Sequence, residues 1–273
     1  MTIEKKFELL KKILREFGSV AVAFSGGVDS TFLLKVAHDV LGNNVVAITA
    51  SSQFVPRREI EEAKNFCTAE NIRQIIFETD ALSINGVKEN PKNRCYLCKY
   101  FLFENFVRLA NENNFSVVAE GSNMDDLGDY RPGMKALAEL KTESPLRSAE
   151  LYKNEIRQLS QKLKLPTFDK PAMACLATRF VYGETLTVEK LKSVERAENF
   201  LSDAGFKQLR VRVHGNIARI EILPGEFEKI LTLREKIISE FKNYNFDYVT
   251  LDLQGYRSGS MNLKTPINTE SAV

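Results

Sequence analysis

Residues 20–30 read VAVAFSGGVDS, and this stretch constrains the fold more than any other. Val20 to Phe24 carry small, β-branched and aromatic apolar side chains, the pattern of a buried strand. Ser25-Gly26-Gly27 makes a turn. Asp29, Ser30 and Thr31 then open an apolar-periodic helix carrying Phe32, Leu33, Leu34, Val36 and Ala37. A strand that passes through glycines into a helix N-terminus suits an anion. Glycine lets backbone N–H groups approach, and the helix start adds unsatisfied donors and a positive partial charge. The hydroxyls of Ser25 and Ser30 add further donors. Asp29 would repel a bare phosphate, so the pattern calls for Mg²⁺ between carboxylate and anion. The plain alternative is an ordinary strand–turn–helix connection.

The pattern is neither GxxxxGK[ST] nor GxGxxG. SGGVDS resembles instead the pyrophosphate loop of the ATP pyrophosphatases, which adenylate a substrate and release pyrophosphate. Around it, strands expected at 44–49, 72–77 and 116–120 alternate with helices, one from near Pro56 to about Glu70 and one over 149–163. Such alternation implies βαβ units on a parallel sheet, with ligands outside the carboxyl ends of the strands. Ser25 to Gly27 and the second strand end, Ala50, Ser51 and Ser52, are expected to meet there around ATP. This nucleotide domain is expected to span 1–166, with a smaller α+β domain over 167–273.

The chain has four cysteines, Cys67, Cys95, Cys98 and Cys175. Cys67, beside Phe66 and one turn from Ala63, reads as a buried small hydrophobe. Cys95 and Cys98 open a helix, and their spacing puts both thiols on one face or around one turn. A CxxC supplies half a zinc site, and two unlinked structural thiols are the plain alternative. Arg94 and Lys99 flank the pair and would favour thiolates. The loop GSNMDDLGDYRPG gives backbone access at Gly121. Its Asn123, Asp125 and Asp126 either hold Mg²⁺ or simply order the turn. Cys175, Arg179, Tyr182 and Gly183 lie in a stretch of little periodicity.

In the C-terminal part a helix over 187–204 is closed by Gly205. LRVRVHGNIARIEI follows, two alternating strands joined at His214-Gly215-Asn216. Leu209, Val211 and Val213 point one way, and Arg210, Arg212 and His214 the other. Arg219 and Glu221 of the second strand share the polar face. Arginine suits bidentate phosphate binding, and a merely solvated outer face is the alternative. A helix over 226–243 and a last strand, YVTLDL, complete the domain; the polar tail LKTPINTESAV reads as disordered.

Composition narrows the function. Apolar residues make up 44% of 273, enough for a substantial core, and no apolar run reaches the ~20 residues that span a bilayer. The N-terminus is an amphipathic helix rather than a signal peptide, which points to the cytoplasm. The net charge of +2 lacks the basic bias of most nucleic-acid-binding domains.

SGGVDS, EGSNMDDLGDYRPGMKAL, MACLATRFVYGETLT, RVRVHGNIARIEI and LDLQGYRSGSMN together resemble LarE, the ATP-dependent sulfur transferases that make the nickel-pincer cofactor of lactate racemase. The similarity spans nearly the whole chain. It implies an adenine nucleotide α-hydrolase-like α/β domain with a smaller α+β domain. It also implies that a carboxylate of a pyridinium dicarboxylate mononucleotide is adenylated by ATP and then becomes a thiocarboxylate. In some members a cysteine matching Cys175 gives up its own sulfur and becomes dehydroalanine. With Cys95 and Cys98 also present, the chain resembles the members whose three cysteines hold a [4Fe–4S] cluster. The resemblance assigns Ser25, Gly26, Gly27, Asp29 and Ser30 to pyrophosphate and Mg²⁺, Ala50 and Ser51 to the adenosine side, and Cys95, Cys98 and Cys175 to the cluster. Arg210 and Arg212 are assigned to phosphate, with Arg179 behind them. A sulfide source and a homo-oligomer are expected. The rival readings are a tRNA thiolase of the same superfamily and a non-enzymatic nucleotide-binding iron–sulfur sensor.

Overall fold

A computed structural model describes residues 1–128, 132–171, 174–257 and 261. The chain forms two compact units, Met1–Cys175 and Leu176–Val273, so the division falls later than Pro166. The C-terminal LKTPINTESAV and parts of three recognised motifs, around Tyr130, Met173 and Ser258 to Ser260, lie outside the described residues.

The first unit runs α1 (Ile3–Phe17), β1 (Val20–Ala23), α2 (Val28–Leu41), β2 (Val45–Ser51), α3 (Arg57–Ala69), β3 (Gln74–Glu78), α4 (Arg94–Glu112), β4 (Val118–Ala119), α5 (Pro132–Glu139), α6 (Pro145–Ser148) and α7 (Lys153–Lys162). All strand pairs are parallel, in the order β3-β2-β1-β4. Alternation along the strands feeds two cores. Val20, Val22, Val45 and Ala47 pack with Leu10, Leu14, Phe32, Leu33 and Ile156. Ala21, Val46 and Ile48 pack with Phe103, Phe106 and Leu137. A sheet covered on both faces needs apolar residues at every position, which is why β1 and β2 read as unbroken apolar runs. From β1 the chain builds outward through β2 and β3, then returns to place β4 on the other side of β1. The switch point of the sheet therefore lies between the ends of β1 and β4, where ligands of open α/β sheets bind.

The helix expected over 149–163 starts later. Ala149 and Leu151 are buried in the core, and Glu150 between them has φ +57°, so α6 stops and the chain turns before α7. Among the described residues no helix is long and apolar enough to cross a membrane.

The second unit comprises α8 (Val188–Asp203), β5 (Leu209–His214), β6 (Ile217–Ile222), α9 (Phe227–Thr232), α10 (Arg234–Asn243) and β7 (Tyr248–Leu251). Thr187 caps α8 by accepting from Lys190 N at 3.2 Å. β5 and β6 form the expected antiparallel hairpin, turning at Gly215 with φ +61°, and β7 adds to β6 in parallel. The helix expected over 226–243 is divided at Leu233 into α9 and α10.

Phe32 is fully buried, whereas Tyr248 on the edge strand is 67% exposed. Phe32→Ala should cost about 3–5 kcal/mol through its cavity, and Tyr248→Ala under about 0.5 kcal/mol, read from urea unfolding of the two variants.

Candidate active site

The glycine loop after β1 is shaped by its own serines. Ser30 Oγ donates to Gly27 O at 3.2 Å and accepts from Ser25 N at 3.3 Å, while the two hydroxyl oxygens lie 3.1 Å apart. Gly26 takes φ +71°, a left-handed conformation that favours glycine. Gly27 is the N-cap of α2 and offers the first-turn N–H groups no side-chain acceptor. Those donors, with the helix dipole, form the anion-binding end of α2. Ala50 and Ser51 end β2 next to β1, half-buried and paired with Phe77 and Glu78 of β3.

The loop after β4 closes against this one. A methyl group on Gly121 would lie 3.1 Å from Ser30 N and 3.2 Å from Asp29 Cβ, so only glycine allows the two backbones to approach this closely. Buried Glu120 anchors the turn, accepting from Ser122 N at 3.1 Å, Ser122 Oγ at 2.7 Å and Ser144 Oγ at 2.5 Å. The polar residues downstream order the loop: Asn123 Oδ1 accepts from Asp125 N at 2.9 Å, and Asp126 Oδ2 from Asn123 N at 2.9 Å. Asp125 Oδ2 accepts from Lys153 N at 2.6 Å, tying the loop to the start of α7.

Asp29 projects from the first turn of α2. Its Oδ2 accepts from Lys153 Nζ at 2.5 Å, while its Oδ1 is buried with no hydrogen-bond partner among the described residues. A buried carboxylate oxygen without a donor, at an anion-binding helix end, fits a hard divalent cation. Lys170 approaches from the other side, donating to Gly26 O at 3.0 Å and to Glu62 at 2.7 Å. Arg157 secures that segment through Phe168 O at 2.7 Å and Lys170 O at 2.8 Å. The sequence pattern did not single out Lys153 or Lys170. Both reach the loop from more than a hundred residues away, and isolated lysines leave no spacing signal.

Cys95 and Cys98 lie in the first turn of α4, as expected. Arg94 is 2% exposed and donates to Asn90 Oδ1 and, at 3.5 Å, to Cys95 Sγ. The expectation that flanking basic residues favour thiolates does not hold at Cys98. Burial pushes its thiol up to about 12, the neighbouring Cys175 and Cys95 push the same way, and Arg94 offsets only part. Cys175, half-buried at the end of the first unit, is thus within electrostatic reach of Cys98. Cys67 is buried in the core and its thiol is also pushed to about 12, by burial alone. Among the described residues no set of three or more Cys, His, Asp and Glu is arranged to hold a metal ion. A single ion needs thiolates at ~2.3 Å from one centre, a closer arrangement than a multi-iron cluster needs.

The second unit carries its own charged cluster. Arg210 and Arg212 are only 4% and 6% exposed and Arg179 is fully buried, so the polar face of β5 is not a solvated surface. It is covered by the segment before α8 and by the chain after β7. Arg212 donates to Thr178 O at 3.1 Å, and Arg210 lies over the Tyr256 ring at 5.4 Å. Glu221 accepts from Arg212 at 3.0 Å and from Arg219 at 3.1 Å. Glu198 of α8 takes both arms of Arg179 at 2.9 Å and the N–H of Val211 at 2.9 Å. Burial alone would raise the Glu198 carboxyl, but Arg179, Arg210 and the Val211 N–H together hold it below the ordinary range.

The model of the NAD synthase family matches residues 2–96, the part of the chain that builds the glycine loop and the first three strands. Over the whole chain, an uncharacterized protein of Synechocystis is 44% identical across 95% of this chain and 98% of its own length. The pyridinium-3,5-bisthiocarboxylic acid mononucleotide synthase of Lactiplantibacillus plantarum is 37% identical across 96% of this chain and 95% of its own length. The chain belongs to the LarE family. It is an ATP-dependent sulfurtransferase built on a pyrophosphate-loop domain. An uncharacterized protein of Methanocaldococcus jannaschii is similar too, 31% identical across 94% of this chain and all of its own length. The pyrophosphate-loop family uses ATP with Mg²⁺.

Two outcomes check this geometry. Gly121→Ala should force the two loops apart by a few tenths of an ångström, costing about 1–3 kcal/mol in denaturant unfolding and weakening ATP in a calorimetric titration. Glu198 has a lowered pKa, so its stabilising contribution is present above the ordinary carboxylate value of 4.5 and is lost as pH falls through the folded value. Glu198→Gln should destabilise the protein at neutral pH by about 3–5 kcal/mol, because Arg179 stays buried without its charge partner, and should flatten the acid limb of stability against pH.

Proposed function

We propose that this protein converts a carboxylate of a pyridinium dicarboxylate mononucleotide into a thiocarboxylate. The similarity to the L. plantarum synthase over 96% of the chain carries this reading. In the first half-reaction a carboxylate oxygen attacks the α-phosphorus of ATP, forming an acyl-adenylate and releasing pyrophosphate. In the second, a sulfide attacks the acyl carbon, and AMP leaves with the C–O bond electrons.

The roles assigned to this chain follow from its chemistry. Ser25, Gly26, Gly27 and Ser30 bind the pyrophosphate portion through backbone and hydroxyl donors, and Asp29 holds Mg²⁺. Gly121 keeps the β4 loop close to that site, while Ala50 and Ser51 border the adenosine. Arg210 and Arg212 bind the phosphate of the mononucleotide, with Arg179 supporting them. The guanidinium of Arg212 is held by Glu221 and that of Arg179 by Glu198, so these two are pre-oriented rather than free to rotate. Cys95, Cys98 and Cys175 would hold a [4Fe–4S] cluster, and that group would supply the sulfide for the transfer. Electrostatic coupling of Cys98 to both other thiols supports this grouping, and Cys67 takes no part. With the sulfur brought from outside, the protein is not consumed.

The test is pyrophosphate release from ATP that depends on an added pyridinium dicarboxylate mononucleotide, followed by mass spectrometry of product and protein. The product should exchange a carboxylate oxygen for sulfur while Cys175 keeps its own sulfur. Conversion of Cys175 to dehydroalanine would overturn the cluster-borne route. Asp29→Asn should abolish pyrophosphate release with the fold intact. Arg212→Ala should raise the mononucleotide requirement and also lower stability, since its partner Glu221 is fully buried.

A further inference from the structure

We infer that Tyr248 and Ile217, at the open end of the three-stranded sheet, form the platform on which the aromatic ring of the mononucleotide stacks. This rests on the reading of Arg210 and Arg212 as the site of that substrate's phosphate. The register of the sheet carries the argument. Across β5 and β6, Arg212 pairs with Arg219 and His214 with Ile217; across β6 and β7, Arg219 pairs with Thr250 and Ile217 with Tyr248. Paired residues share a face, and so do residues two apart on one strand. One face of the sheet therefore presents rows in succession: Arg210 with Glu221, then Arg212 with Arg219 and Thr250, then His214 with Ile217 and Tyr248. Thr178 and Tyr256 lie against the arginines. Tyr248, by contrast, is 67% exposed and Ile217 37%. The core lies on the opposite face, where Val211, Val213, Ala218 and Ile220 are buried, so packing does not account for the exposed pair.

The row of Tyr248 lies two residues, about 6.7 Å, along the strands from the row of Arg212. A five-carbon sugar between phosphate and base bridges such a step. In the other direction the next row holds the fully buried Glu221, so a nucleotide anchored at the arginines runs toward Tyr248. The chemistry of the platform suits an electron-poor ring. The phenol offers an electron-rich face, to which a pyridinium is drawn. Arg219, in the neighbouring row of β6, has its charge offset by Glu221 at 3.1 Å and Asp252 at 3.5 Å. Burial and Arg219 hold His214 below its ordinary value, so it is uncharged at neutral pH and does not oppose the pyridinium. Stacking engages the face of the ring and leaves the carboxylates at its edge free to react.

The experiment is calorimetric titration with the pyridinium dicarboxylate mononucleotide and with ribose 5-phosphate, which lacks the ring, on wild type, Tyr248→Ala, Tyr248→Phe and Leu231→Ala. Tyr248→Ala should weaken the mononucleotide about tenfold or more, the loss expected for one aromatic stacking partner, and ribose 5-phosphate less than about twofold. Tyr248→Phe keeps the aromatic face and should stay within about threefold of wild type. Leu231→Ala removes a comparably exposed apolar side chain from α9 and should change neither ligand. The chain contains no tryptophan, so Tyr248→Trp introduces a single indole fluorophore. Its emission should be quenched by the mononucleotide and not by ribose 5-phosphate. Undiminished mononucleotide binding by Tyr248→Ala, equal losses for both ligands, or Tyr248→Trp emission that ignores the mononucleotide would each overturn the platform. So would a sedimentation coefficient that falls in Tyr248→Ala, which would make the patch an interface between copies of this chain. Wild type that does not bind the mononucleotide would instead overturn the phosphate reading, and the platform with it. Urea unfolding of each variant separates these results from loss of fold.

Discussion

The close approach of two loops at the switch point of the parallel sheet governs the first unit. The turn after β4 lies against the N-terminus of α2, with Gly121 so close that a Cβ there would press on Ser30 N at 3.1 Å and Asp29 Cβ at 3.2 Å. Much else follows from that proximity. Glu120 must be buried to hold the turn, and it is tolerated because three donors satisfy it. Asp125 can then cap Lys153, and Lys153 can reach Asp29. Free helix-end donors, a carboxylate oxygen with no hydrogen-bond partner among the described residues and a fixed ammonium are brought together where one glycine lacks a Cβ.

The second unit solves a different electrostatic problem. Buried Arg179 and Arg212 each pair with a buried glutamate, and guanidinium can be held this way because it is planar, weakly hydrated and multiply donating. Burying ions is expensive, and the arrangement is weak evidence for stability as such. What it gives is order: Arg179 is clamped by both oxygens of Glu198, and Arg212 by Glu221 and Thr178 O. Under the proposed function that order is useful, because a phosphate bound by pre-oriented guanidiniums costs less side-chain entropy.

The α/β architecture was legible from the alternation of apolar runs with helical periods. The glycine loop was legible because a strand–glycine–helix junction has few other uses. The hairpin at Gly215 followed from strict period-two alternation. That same alternation could not show whether the arginine face was wet or covered, since both give polar residues at every second position. The cover comes from Thr178 and Tyr256, which no local pattern connects to β5. The break between α6 and α7 was missed because apolar spacing continues across Glu150, whose positive φ is set by packing of Ala149 and Leu151. Lys153 and Lys170 were missed for a related reason: a single lysine gains meaning only from what lies across from it.

The cysteines show why burial alone does not separate a structural thiol from a functional one. Cys67 and Cys98 are both pushed up to about 12, in each case chiefly by burial. Their surroundings differ. Cys67 owes its shift entirely to the apolar core, and nothing there would stabilise a thiolate. Cys98 is raised also by two other thiols and is opposed by a guanidinium, so its neighbourhood contains both soft ligands and positive charge. Of the three thiols, Cys175 alone sits outside regular secondary structure.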